Sequence, residues 1–117
     1  MPQAALVKRT YDSRLYDIAC GNLLLPTEVI TQVVSVLDDQ NTLTFGTAAV
    51  NTQPVVYPGY TAPIGTVIQV QISGGVIPAV LPQLPCTIRA KFKTNISPDQ
   101  LEATMLLVLR DTIPGSI

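Results

Sequence analysis

The segment Cys86-Thr-Ile-Arg-Ala-Lys-Phe-Lys-Thr94 alternates between apolar and polar residues without a break. Cys86, Ile88, Ala90 and Phe92 fall on one face of an extended chain, and Thr87, Arg89, Lys91 and Lys93 on the other. Successive side chains of a strand point to opposite faces, whereas a helix would scatter the same residues around its circumference. The segment is therefore read as a strand with one wall in a core and the other in water. Such a strand needs partners for its edges and a cover for its apolar face, so the rest of the chain must supply a sheet and a second layer.

The remaining sequence reads the same way. Thr66–Ser73 repeats the pattern, with Ile68, Val70 and Ile72 inward and Gln69 and Gln71 outward. Leu101–Asp111 places Leu101, Ala103, Met105, Leu107 and Leu109 on one face. Its other face turns from Glu102 and Thr104 to Leu106 and Val108, so its second half is expected to be covered on both sides. Weaker strand signals lie at Arg14–Ile18, Val29–Leu37, Thr42–Val50 and Gln53–Tyr57. The turn-forming run Asp38-Asp39-Gln40-Asn41 separates two of these, and Pro58-Gly59 supplies a turn in which Gly takes a positive φ. Ser97-Pro98 offers an N-cap and first helical residue for one turn at most. About six or seven strands with turn signals between them point to an all-β antiparallel sandwich or barrel.

Composition narrows the function. Charged residues are 13% of the chain against 47% hydrophobic, which excludes the composition of a disordered segment. The net charge of −1 argues against a nucleic-acid coat. No apolar run is long enough for a membrane-spanning helix, since prolines interrupt the densest one. The N-terminal residues do not read as a signal peptide, which points to a protein made in a cytoplasm. In that setting Cys20 and Cys86 are expected as free, inert thiols rather than a bridge. There is no His. The serines and cysteines therefore lack an imidazole base, and no catalytic residue, cofactor site or metal site is expected. Asp38-Asp39 lacks the oxygen-rich spacing of a cation loop, and Asp12, Asp17 and Glu28 are read as surface carboxylates.

Several short elements then resemble one family. They are Tyr16-Asp17-Ile18, followed by Leu25 and Glu28-Val29-Ile30-Thr31, and later Val70-Gln71-Ile72-Ser73-Gly74-Gly75. After these come a strand ending in Lys93-Thr94 and a last strand from Glu102 to Val108. This layout is similar to the small immunoglobulin-like fibre–tail adaptors of tailed bacteriophages. The resemblance implies an immunoglobulin-like β-sandwich over residues 10–112, with an arm at 1–9 and a tail at 113–117. It implies a structural virion protein, made in the host cytoplasm, that joins fibres to the tail or portal region in repeated copies around a ring. The proline-rich segment Val76–Pro85 stands where the family has a short polar turn, and the family's early Trp is missing.

Two surfaces are candidates for contact with other virion proteins. The first consists of neutral loops, with Tyr57, Tyr60, Val76, Ile77, Val80, Leu81 and Leu84 as the residues expected at an interface. The bland alternative is that these loops cap the open end of their own sandwich. The second is the row Arg89, Lys91 and Lys93, which suits an acidic partner. A solvated outer face, or an edge strand protected by Lys, is the simpler reading of the row, and nucleic acid would want aromatic residues beside it. Two other functions fit the same composition, a capsid decoration or cement protein and a carbohydrate-binding module with Tyr57 and Tyr60 as its platform.

Overall fold

The computed structural model describes residues 6–96 and 99–111. Ten strands form among them: β1 (Leu6–Lys8), β2 (Arg14–Ala19), β3 (Ile30–Asp38), β4 (Leu43–Phe45), β5 (Ala49–Val50), β6 (Val55–Tyr57), β7 (Tyr60–Ala62), β8 (Val67–Gly74), β9 (Leu84–Thr94) and β10 (Leu101–Leu109). One sheet has the order β1-β10-β9-β3. The other is β2-β8-β4, with β5 also on β8, and β6-β7 is a separate hairpin. All pairs are antiparallel except β1 with β10, so the first sheet is mixed rather than purely antiparallel. The expected six or seven strands become ten because the weaker half of the chain divides into short pieces.

The period-two pattern decides what is inside. Tyr16 and Ile18 of β2 and Ile68, Val70 and Ile72 of β8 form one wall of the core. Cys86, Ile88, Ala90 and Phe92 of β9 and Ala103, Met105, Leu107 and Leu109 of β10 form the other. The two sheets thus pack face to face in a sandwich-like arrangement. Cys20 and Cys86 are buried free thiols. Burial pushes Cys20 up to about 12 and Cys86 up to about 11, because a thiolate cannot be solvated there.

Departures from the sequence reading have local causes. The imperfect alternation of Val29–Leu37 comes from two irregularities in the pairing of β3 with β9, between Ile30 and Gln32 and between Val33 and Ser35. Each extra residue reverses the inside–outside phase. Thr42–Val50 is not one strand. Phe45 pairs with Ile72 and Ala49 with Gln69, so the chain around Gly46 carries one residue too many for a continuous ladder. The prolines were expected to keep the segment up to Pro85 out of the sheet, yet β9 starts at Leu84. The Thr87 N–H points to the β3 side, where it donates to Asp39 Oδ1 at 2.8 Å. Two residues earlier Pro85 faces the same flank, beyond the last pair of β3 with β9 at Ile88, where a missing donor breaks no ladder bond. The outer half of β10 is not covered as expected: Val108 is half-buried opposite Val7, but Leu106 is 41% exposed.

Within the segment read as an N-terminal arm, Leu6–Lys8 is a strand laid parallel on Leu107–Leu109. Lys8 is only 1% exposed. Its Nζ donates to the carbonyls of Arg9 at 2.7 Å and Gly74 at 2.6 Å, which ties β1 to the end of β8 in the opposite sheet. Burial lowers its pKa below the ordinary lysine value. Nearby, Gly75 has φ +109, and a Cβ there would lie 2.8 Å from Leu109 Cδ1, so only glycine fits this corner.

Glu28 is a correction too. It is buried rather than on the surface. Its Oε1 accepts from the Leu25 N–H at 2.9 Å and its Oε2 from the Thr94 hydroxyl. These two bonds, the Thr94 contact first, hold its pKa below the usual carboxylate value. Ser97 and Pro98 lie outside the described residues, as does the tail from residue 112.

Candidate functional site

Two exposed regions stand out, at opposite ends of the sandwich. The first follows β8. Its chain turns at Pro78–Leu81, where the Leu81 N–H donates to the Pro78 carbonyl at 2.9 Å. The turn lifts Val80 to 89% exposure and leaves Val76 and Leu81 exposed as well. Ile77 is half-buried and packs on the core, which anchors the loop base together with the bond from the Val76 N–H to the Thr42 hydroxyl at 2.8 Å. Prolines at 78 and 82 stiffen the projection by fixing φ. Leu84, expected with these residues at an interface, is instead a core residue at the start of β9. Its place on the inward phase with Cys86 and Ile88 explains this, and extending the alternation back by two residues would have found it.

The cation row is placed as expected on the face opposite Phe92, which is fully buried. It is not a free positive stripe. Arg89 pairs with Glu102 at 3.1 Å, and Glu102 is the cross-strand partner of Lys91. One carboxylate thus sits against two of the three cations, and exposed pairs of this kind stabilise by at most about 1 kcal/mol. Asp38 and Asp39 are spoken for as well. Asp38 accepts from the Thr42 and Leu43 N–H groups, the latter at 2.7 Å, and closes the turn between β3 and β4. Among the described residues no cluster of Cys, Asp or Glu gathers three metal ligands, and no helix is long and apolar enough to cross a membrane.

The second region is a cleft of about 720 Å³. One wall is the N-terminal half of β10, Glu102–Leu106. The hairpin tip Tyr57-Pro58 with Tyr60, Ala19 and the 3-10 turn Gly21–Leu23 make up the rest of the lining. The tyrosine rings stack 5.2 Å apart at 17°, and Gly59, at φ +86, closes the two-residue turn that brings them together. Tyr60 is 54% exposed. Tyr57 is half-buried, and burial raises its hydroxyl pKa to about 12. The Tyr57 hydroxyl is buried without a hydrogen-bond partner among the described residues.

The hairpin is held by Asn51, which the sequence reading passed over. Asn51 is 3% exposed. Its Oδ1 accepts from the N–H groups of Gly65, Thr66 and Val67 at 3.0, 3.1 and 3.0 Å. Its Nδ2 donates to the carbonyls of Gln53 at 2.8 Å and Pro63 at 3.1 Å. One amide thereby fastens both ends of the segment that carries Tyr57 and Tyr60 to the start of β8. A lone Asn between two turn-rich stretches carries no periodic signal, so nothing in the sequence marks it.

No protein-family model, curated protein or solved structure matches this chain.

Proposed function

We propose that the protein is an immunoglobulin-like structural module of a tailed-phage virion, an adaptor that joins fibres to the tail or portal region through protein–protein contacts. The strand order supports the fold part of this reading: β2-β8-β4 facing β10-β9-β3 matches the B-E-D and G-F-C orders of such a domain, while β1 lies beside β10 rather than β2. The observation that carries the functional part is the loop at Val76–Leu81. It is uncharged, proline-stiffened and projects Val80 and Leu81 into water from one end of a rigid body. Exposed aliphatic side chains on a pre-ordered loop favour association, because little entropy is lost on docking. Each such side chain contributes about 1.5–3 kcal/mol when fully covered. Repeated copies around a ring would multiply a weak contact into a firm one.

The test is the double substitution Val80→Asp, Leu81→Asp. Neither side chain belongs to the core, so the variant should keep the wild-type circular dichroism and melting temperature. It should be missing from purified particles produced by a phage carrying it. Incorporation at the wild-type level would overturn the docking role of the loop, and absence of the wild-type protein from particles would overturn the virion reading itself.

A further inference from the structure

We propose that the cleft between β10 and the Tyr57–Tyr60 hairpin is a binding site for a neutral oligosaccharide. Its lining is defined by what a ligand must satisfy. The Arg110 N–H donates to the Lys8 carbonyl at 2.9 Å, toward β1. Backbone groups of a strand alternate sides with period two, so Val108, Leu106, Thr104 and Glu102 present their N–H and C=O to that same edge. Among the described residues β1 pairs only with Leu107–Leu109. The Leu6–Leu107 pair of this parallel ladder uses the Leu106 carbonyl, which accepts from the Leu6 N–H. The N–H and C=O groups of Glu102 and Thr104 and the N–H of Leu106 therefore have no strand partner among the described residues, and these three residues line the cleft. They form a row of donors and acceptors spaced about 7 Å apart.

A purely apolar ligand would strip water from this row and leave it unsatisfied. A phosphate or nucleotide would meet no cation among the described lining residues, whose one charged member is Glu102, already paired with Arg89. A sugar answers both walls at once. Its hydroxyls give and take hydrogen bonds along the edge of β10, with Asn22 and the Thr104 hydroxyl beside them. Its C–H face lies on the open ring of Tyr60, which is held flat from behind by Tyr57. Aromatic rings with a polar tip suit such half-apolar contacts. The cleft volume falls within the roughly 300–1,000 Å³ of small-ligand sites. A peptide strand could also use the edge, but β1 blocks it at Leu107, and a strand makes no demand for stacked rings. The site is independent of the phage reading.

The probes are maltotriose, cellotriose and chitotriose, titrated into ¹⁵N-labelled protein. At least one should shift the Thr104 and Leu106 amides saturably and receive saturation transfer from the tyrosine rings. Tyr60→Ala should weaken that binding by about tenfold or more. Thr104→Arg, an exposed strand position outside the core, should abolish it with the fold intact. Val80→Asp, at the other end of the molecule, should leave it unchanged. The proposal is overturned if no trisaccharide shifts these amides or if binding survives both cleft variants. It is equally overturned if an extended peptide of alternating Val and Thr shifts them where the sugars do not.

Discussion

Replacing Asn51 by Ala should be among the most damaging single changes outside the aliphatic core. The Gly65 N–H would retain a bond, since it also reaches the Asn51 main-chain carbonyl at 3.2 Å. The Thr66 and Val67 N–H groups would lose their acceptor, and both residues are buried. A buried donor left without a partner costs about 1–3 kcal/mol. Two of them give about 2–6 kcal/mol, and some relief from water at Thr66 brings the expectation to about 2–4 kcal/mol. That is a large share of a stability of roughly 5–15 kcal/mol. Urea unfolding followed by circular dichroism measures the loss. Native-state hydrogen exchange locates it, and the Thr66 and Val67 amides should exchange much faster than those of β9. The tyrosines should also lose their fixed stacking, because the hairpin hangs from this amide. A loss below about 0.5 kcal/mol, with unchanged exchange at residues 66 and 67, would refute the role given to Asn51.

Three further outcomes are expected. Phe92→Ala should cost roughly 3–5 kcal/mol in the same urea assay, whereas changing Arg89, Lys91 and Lys93 together to Gln should barely move the melting temperature, because the Arg89–Glu102 pair is exposed. The native protein should react very slowly with a thiol reagent at neutral pH, since both thiols are buried and their pKa values raised; unfolded without reductant, it should titrate two thiols. Glu28 has a folded pKa below its unfolded value, so its contribution is complete above the ordinary carboxylate value of 4.5 and disappears as pH falls through the lowered one; Glu28→Gln should flatten part of the acid limb of a melting-temperature profile, and Asp111, whose pKa the Thr10 backbone N–H and hydroxyl lower, should supply much of what remains.

Periodicity made the faces legible. Cys86–Thr94, Thr66–Ser73 and Leu101–Leu109 bury the residues that alternation assigns inward, because a strand covered on one side has no other way to satisfy its apolar positions. The same signal fails wherever an extra residue intervenes. β3 and the β4–β5 segment carry such residues, and there the chain reads as noise although it is paired. Lys8 shows a different limit. A lysine flanked by Val7 and Arg9 reads as solvent-facing, and only the arrival of the Gly74 carbonyl from the other sheet makes its burial possible. Glu28 and Asn51 belong with it, since the Thr94 hydroxyl that binds the one and the Thr66 and Val67 amides that bind the other come from segments that no local pattern announces.

The two surfaces differ in the same way. An exposed loop is a property of its own residues: Pro78 and Pro82 have no N–H for a ladder and the run carries no charge, although Pro85 at its end enters β9. The exposure of Val76, Val80 and Leu81 was therefore visible in the sequence, whereas Leu84, which belongs to the strand that follows, and Ile77, half-buried on the core, were counted with them. A cleft belongs to no single segment. Its walls come from β10, the β6–β7 hairpin and the turn after β2, and its hydrogen-bonding row exists only because β1 lies beside the last three residues of β10 and, among the described residues, no further. Side-chain alternation puts Glu102, Thr104 and Leu106 on one outer face, with Leu106 in the half expected to be covered. It says nothing about the strand's lateral edge, where the main chain rather than the side chains does the recognising. Tyr57 and Tyr60 could be suspected from Pro58-Gly59 alone, but what they face could not.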